Sequence, residues 1–248
     1  MNRATFRFYA ELNDFLPQGR RKRAFEYEFN GTPGIKDAIE ALGVPHVEVD
    51  VILVNGVSVS FSYHLQAGDR IAVYPVFESL DISPLVKLRP DALRNTAFIA
   101  DVHVRELAHY LRLLGFDTLH DNKYADQEIV EIAAREGRII LTCDRMLLKN
   151  GAVTHGYWVR SSDPVKQARE IIQRLDLRRQ VKMFSRCPTC NGEIVPVSKE
   201  EVYERIPPKT ALWLDQYFVC KACGKLYWQG THYPRLVEKI DAILASAD

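Results

Sequence analysis

The sequence predicts an α/β protein built from three small units. Three observations carry that prediction: a ββαββ order over about the first 80 residues, repeated strand–helix units from Thr96 to Leu175, and two Cys-x-x-Cys pairs beyond them. At 248 residues the chain is longer than one typical domain and short for three large ones, so each unit must close its own core. Hydrophobic residues at 47% and charged residues at 26% are ordinary for globular protein, and no window approaches the roughly 18 uninterrupted apolar residues of a membrane span. No membrane partner is expected. Met1 to Phe8 lacks the apolar core of a secretory signal, so a cytoplasmic protein with reduced cysteines is expected. The net charge of +1 is neutral evidence on a polyanionic partner, because small basic faces can sit inside a balanced total.

In the first unit, residues 4 to 9 and 24 to 29 read as a hairpin around a loop with Pro17 and Gly19. Gly34 to Leu42 places Ile35, Ala38, Ile39 and Leu42 on one helical stripe, stopped by Gly43. Two strands follow, Val49 to Val54, turned by Asn55-Gly56, and Asp69 to Val76. This order is that of a β-grasp, or ubiquitin-like, domain, placed at 1–80. The stretch "VILVNGVSV…LQAGDRIAVYPV" resembles the sulfur-carrier branch of that fold, the small subunit of molybdopterin synthase and its thiamine counterpart. Those carriers act through a C-terminal Gly-Gly. Here Val76 runs on into Phe77, Glu78, Ser79 and Leu80, so the unit is expected to dock or present a protein partner and not to carry sulfur. Residues 78 to 95, with Pro84 and Pro90, read as a linker.

The second unit is expected at 95–180. Strand Thr96–Ala100 ends at Asp101, and helix Val104–Leu114 carries Leu107, Leu111 and Leu114 inward before Gly115. Strand Phe116–Leu119, a helix from about Asp126 to Arg135, and strand Ile139–Leu141 follow. Gly156–Val159 then leads into Asp163-Pro164 and a helix to Leu175. Aliphatic strands alternating with helices imply a parallel sheet, whose ligand site lies outside the carboxyl ends of the strands. Asp101 and Asp144 follow buried strands, with Asp126, Glu128 and Asp163 at or near helix starts. Carboxylates brought together repel unless a cation intervenes, and an all-oxygen site suits Mg²⁺ or Mn²⁺. Helix capping is the alternative, strongest for Asp163 before Pro164, open for Asp126, and still open for Asp101 and Asp144. Asp121 reads as a loop residue and Cys143 as a small packed side chain.

"FIADVHVRELAHYLRLLGFDT", "DQEIVEIAAREGRIILTCDRMLL" and "GYWVRSSDPVKQ" together resemble the PIN-like ribonuclease domain named after the C-terminal region of the Mut-seven exonuclease. The resemblance runs from about residue 95 to residue 240, and bacterial members of that group often carry a ubiquitin-like domain ahead of it. It implies a carboxylate site that holds one or two divalent cations for cleavage of RNA. By position the acids are Asp101, Asp126 or Glu128, Asp144, and a weaker fourth, Asp163. Two departures stand beside them: Val102-His103-Val104-Arg105 replaces a Gly- and Lys-containing turn, and Cys143 stands where Arg is expected. Arg105, Arg112, Arg145 and Arg160 are expected to hold backbone phosphates, with solvated helix surface as the alternative for Arg112.

Cys187, Cys190, Cys220 and Cys223 form two pairs, each followed by a glycine, Gly192 and Gly224. This is the pattern of a structural zinc ribbon, placed at 183–240, whose four thiolates leave no open position for chemistry. The intervening segment Lys199–Trp213 reads as helical. After the last pair, "KLYWQGTHYPR" interleaves Tyr227, Trp228, His232 and Tyr233 with Lys225 and Arg235. Such a pattern suits stacking of single-stranded nucleic acid, with packing of the ribbon as the alternative and His232 as the expected exposed contact. The expected function is therefore a metal-dependent ribonuclease with catalytic Mg²⁺ or Mn²⁺ and structural Zn²⁺, partnered by RNA and, through the β-grasp unit, by protein. The rival is a non-catalytic RNA- or ribosome-binding adaptor in which the acids only cap helices.

Overall fold

The computed structural model describes residues 1–75, 88 and 96–245. The linker expected over 78–95 lies outside the described residues apart from Leu88. In chain order the elements are β1 (Asn2–Phe8), β2 (Phe25–Phe29), α1 (Ile35–Ala41), β3 (Val51–Val54), β4 (Val57–Val59), β5 (Arg70–Tyr74), β6 (Ala97–Ala100), α2 (Arg105–Leu113), β7 (Asp117–Leu119), α3 (Asp126–Glu136), β8 (Ile139–Thr142), α4 (Arg145–Leu148), β9 (Gly156–Trp158), α5 (Pro164–Arg174), β10 (Ile194–Val197), α6 (Lys199–Val202), α7 (Pro208–Ala211), β11 (Tyr217–Cys220), β12 (Leu226–Tyr227) and α8 (Tyr233–Leu244). None of these helices is long and apolar enough to cross a membrane. The chain divides into two compact units, one of residues 1–94 with 126–158 and one of residues 95–125 with 159–248.

The first unit holds a five-stranded sheet in the order β2-β1-β5-β3-β4, with β1 and β5 parallel and the other pairs antiparallel. Alternation in β1 sends Ala4, Phe6 and Phe8 inward, where they meet Ile35 and Ile39 of α1 and Ile52 of β3 in one core. This is the expected ubiquitin-like arrangement with one added strand. Asn55 and Gly56 both take positive φ, 52° and 87°, as a two-residue hairpin turn requires, and the chain returns as β4. The sequence reading found the turn but not the short strand behind it.

Residues 126–158 belong to the same unit. Helix α3 buries Ile129, Val130, Ile132 and Ala133, and β8 pairs with β9 in parallel register, Ile140 opposite Gly156 and Thr142 opposite Trp158. Buried polar groups of the ubiquitin-like module find their partners here. Glu48, only 3% exposed, accepts a hydrogen bond from the Trp158 backbone N–H at 2.8 Å. His46 pairs through Nδ1 with Glu40 at 2.6 Å and donates from Nε2 to the Val153 carbonyl at 3.1 Å. Lys149 donates to the Glu40 carbonyl at 2.7 Å. An unpaired buried carboxylate or imidazole costs more than a hydrogen bond gives, so these residues commit the module to its own chain. Trp158 adds an aromatic contact with Phe15, ring centroids 4.8 Å apart.

In the second unit β6 and β7 pair in parallel, Ala97 opposite Asp117. Helix α2 turns Leu107, Ala108 and Leu111 inward and stops at Gly115, whose φ of 95° is the left-handed stop that glycine permits. A side chain there would also collide with the Lys182 carbonyl, 2.3 Å from an ideal Cβ. Helix α5 packs against both α2 and α8. Strands β10-β11-β12 form a small antiparallel sheet. The helix expected over 199–213 is broken into α6, a 3-10 turn at Tyr203–Arg205, and α7. Pro207 and Pro208 follow Ile206 directly, and proline disfavours a helical residue before it, so one continuous helix cannot form. Helix α8 begins inside the aromatic–basic stretch, with Pro234 in its first turn.

Removing the Glu48 acceptor leaves the Trp158 N–H and its surroundings unpaired. Glu48→Ala is expected to lower unfolding stability by about 1–3 kcal/mol, and Glu48→Gln, which keeps an acceptor, by less. Urea unfolding followed by Trp fluorescence reads both, and equal behaviour of the two variants would contradict the pairing.

Candidate functional site

Cys187 and Cys190 come from the turn before β10, Cys220 from the end of β11 and Cys223 from the turn after it, and the four converge. Among the described residues they are the one group of three or more His, Cys, Asp or Glu whose ligand atoms lie within 4.8 Å of one another. The Sγ atoms of Cys187 and Cys223 are 3.7 Å apart, and those of Cys190 and Cys220 are 3.4 Å apart. Metal–sulfur bonds of about 2.3 Å in a tetrahedron place sulfurs about 3.8 Å apart, so the donor set fits a thiolate-bound ion such as zinc. Each knuckle closes on a backbone bond to its first cysteine, Asn191 N–H to the Cys187 carbonyl and Gly224 N–H to the Cys220 carbonyl, with Asn191 and Gly224 both at positive φ. Gly192 lets the knuckles approach: a Cβ there would lie 2.6 Å from Ala222 Cβ and 2.9 Å from Cys220 Sγ.

Electrostatics separate Cys187 from Cys190. Burial opposes ionisation of Cys187, but the Tyr227 hydroxyl at 2.9 Å and backbone N–H groups around the sulfur more than offset it, lowering its pKa to about 6. Burial, followed by the neighbouring sulfurs, pushes Cys190 up to about 12. Four thiolates can coexist here only with a cation between them, and binding one must release protons. Tyr227, read from sequence as a stacking face, is thus a hydrogen-bond donor to the ligand set.

The thiolate centre is fastened to strand β7 by Asn191, Asp117 and Thr118, which carried no expectation from sequence, and by Arg112, which did. Asn191 donates to the Asp117 carboxylate at 2.7 Å and accepts from the Thr118 N–H at 3.0 Å, which fixes the orientation of its amide. Arg186 lies 3.4 Å from the other Asp117 oxygen. Arg112 is a correction. It is not solvated helix surface, since it is 7% exposed and donates through Nε to the Thr118 carbonyl and through Nη1 to the carbonyls of Pro188 and Thr189. Burial lowers its pKa, opposed by the Cys187 and Cys190 sulfurs and Asp117. The signal available in sequence was the asparagine directly after Cys190, a residue that tolerates positive φ and carries both a donor and an acceptor.

The acids stand at helix starts. Asp101 is buried, and its Oδ1 accepts the His103 N–H at 2.7 Å, with His103 Nδ1 at 3.5 Å. Asp144 Oδ1 accepts the Met146 N–H at 2.7 Å, and Asp163 Oδ1 accepts the Lys166 N–H at 2.8 Å. Asp126 and Glu128 are exposed on the first turn of α3. Capping is therefore observed for Asp101, Asp144 and Asp163. Of the remaining basic candidates, Arg105 is exposed, Arg145 lies over the Trp158 ring at 4.0 Å and the Phe15 ring at 5.2 Å, and Arg160 pairs with Glu170 at 3.4 Å. His232 is exposed just before α8, on a groove of about 620 Å³ that Trp213, Trp228, Tyr233, Arg235 and Lys239 also line.

A ubiquitin-like module joined to an α/β region with parallel strand pairs and a four-cysteine ribbon defines a class of architecture. Residues 96–240 match the model of the Mut7-C RNAse domain, and residues 1–81 match that of the Mut7-C ubiquitin domain. The chain belongs to the Mut7-C RNAse domain family. No curated protein matches it. Among solved structures it is similar to H. volcanii small archaeal modifier protein 1, at 21% identity over 30% of this chain and 98% of that one, with a TM-score of 0.25.

Two substitutions test the cysteine centre and its joint. Cys190→Ser is expected to drop bound metal from about one ion per chain to well under half, read by elemental analysis after dialysis. Asn191→Gly keeps the positive φ and deletes the amide, and should cost about 1–3 kcal/mol in thermal unfolding with metal content unchanged.

Proposed function

We propose that this protein is a metal-dependent ribonuclease that hydrolyses RNA phosphodiester bonds, with a structural zinc ion in its ribbon. The match of residues 96–240 to an RNAse domain carries the reading. The catalytic groups are Asp101, Asp126, Glu128, Asp144 and Asp163, and the cation they hold is Mg²⁺ or Mn²⁺. Such an ion, when bound, acidifies a water ligand and offsets charge on the phosphoryl oxygens. The caps do not compete with this role. Each engages Oδ1 of its carboxylate, whereas a carboxylate offers about four lone-pair sites and can accept a backbone N–H while binding a cation. The capping bond holds the rotamer. Asp126 and Glu128, exposed on one helical turn, can swing toward a hard ion with little loss of packing.

Arg105 and His232 are the exposed members of the proposed RNA surface, together with the aromatic–basic groove beside α8. The modules at 1–80, 95–180 and 183–240 are the proposed domains, the first also serving a protein partner, and the proposed location is the cytoplasm, where four cysteines stay reduced for a metal. A second reading has its own support: Asp101, Asp144 and Asp163 each accept a backbone N–H at a helix start, which is all that a capping role requires. That favours a non-catalytic RNA- or ribosome-binding adaptor. Labelled single-stranded and structured RNA separate the two. The ribonuclease should cleave with Mg²⁺ or Mn²⁺, stop in chelator, and lose at least about 100-fold in rate in both Asp144→Asn and Asp101→Asn. Tight binding without cleavage would establish the adaptor instead.

A further inference from the structure

Two cavities in the second unit are used neither by the acids nor by the cysteine centre, and they share a wall. The first, about 500 Å³, is lined by Arg105 and His109 of α2, by Arg112, by His120 after β7, and by Pro188 and Thr189 of the cysteine knuckle. The second, about 450 Å³, is lined by the rings of Phe184, Phe218, Tyr227, Trp228 and Tyr233. His109 and Pro188 line both.

The first cavity has the chemistry of an anion site. Arg105, His109 and Arg112 recur at i, i+4 and i+7, so they fall on one face of the chain's turn through α2. The three carbonyl bonds of Arg112 use Nε and Nη1, which leaves Nη2 as the donor it can offer to the cavity. His120 Nε2 is buried and makes no hydrogen bond. Burial first, then the charges of Arg112 and Arg105, lowers the pKa of His120, and burial with Arg112, Lys225 and Arg105 does so for His109 against the pull of Glu106. Two carboxylates, Glu106 and Asp121, also line the cavity; they are exposed and screened by solvent and salt, as is Arg105, so the buried Arg112 is the charge that sets the sign of the inner end. The inner end is therefore rich in donors and positive in sign, as a phosphate group requires.

The second cavity is flat-ringed and apolar, which suits a nucleobase. We propose that the adjoining cavities together bind one nucleotide, its phosphate against Arg105, Arg112 and His120 and its base among the rings around Trp228. On RNA this would be a terminal nucleotide bearing a phosphate. The inference rests on the proposed RNA function for its ligand source, and it is tested by binding alone.

Full-length metal-loaded protein in the Asp144→Asn background is titrated with AMP, adenosine and inorganic phosphate, following histidine ring NMR signals and Trp fluorescence. AMP should shift His109 and His120, perturb Trp228, and bind at least about tenfold more tightly than adenosine or phosphate. His120→Gln should weaken AMP and phosphate about tenfold and spare adenosine, while Trp228→Phe should weaken AMP and adenosine and spare phosphate. An oligoribonucleotide with a terminal phosphate should outcompete its hydroxyl-ended counterpart, and equal competition would assign the site to free mononucleotides. Absence of AMP binding at millimolar concentration, AMP binding no tighter than phosphate, or AMP binding unchanged in His120→Gln would each overturn the nucleotide site. None of these readouts requires cleavage, so loss of the nuclease reading leaves them interpretable.

Discussion

Four sulfur atoms held within 4.8 Å of one another set the constraint on which the second unit depends. Without an ion the thiols titrate apart, Cys187 near 6 and Cys190 near 12. With one bound, the four become a single anionic cluster of fixed geometry. The polar groups around it answer that charge and that shape. Tyr227 donates to Cys187, Arg112 brings a guanidinium to the knuckle carbonyls, and Asn191 passes the position of the knuckle to Asp117 and Thr118. Because Pro188 and Thr189 lie between two of the cysteines, an ion bound there would also hold one wall of the cavity that Arg112 lines.

In the first unit a different chemistry does equivalent work. The ubiquitin-like module closes a conventional apolar core, yet it also buries Glu48 and His46, which hydrogen-bond to the backbone of residues 158 and 153. Burying such groups is unfavourable in a free-standing module and acceptable in one that stays on its own chain. Arg145, with its charge over the rings of Trp158 and Phe15, belongs to that same contact.

Much of the fold was legible because period and punctuation agree locally. Ala4, Phe6 and Phe8 alternate, Leu107 and Leu111 recur at helical spacing, and Gly43 and Gly115 stop their helices at positive φ. The cysteine spacing announced its centre for the same reason. What escaped depends on contacts distant in sequence. No local pattern says that Arg112 will reach the carbonyls of residues 188 and 189, or that Glu48 will meet the backbone of residue 158. Short elements also escaped, since three-residue β4 carries no period and Pro207 and Pro208 break the helix expected over 199–213. For the acids, the sequence placed Asp101, Asp144 and Asp163 at strand ends and helix starts, but capping and cation binding call for the same residue in the same place, so local pattern could not separate them.

The central claim is that the cysteine-held ion fixes the ribbon against β7 and so shapes the surface beside it. The Thr118 amide reports on this most directly, because its partner is Asn191 Oδ1 in the knuckle. Hydrogen exchange at that amide, measured before and after stripping the metal with a chelator, should accelerate together with the amides of residues 187–192. Unchanged protection of Thr118 while the knuckle itself opens would contradict the account.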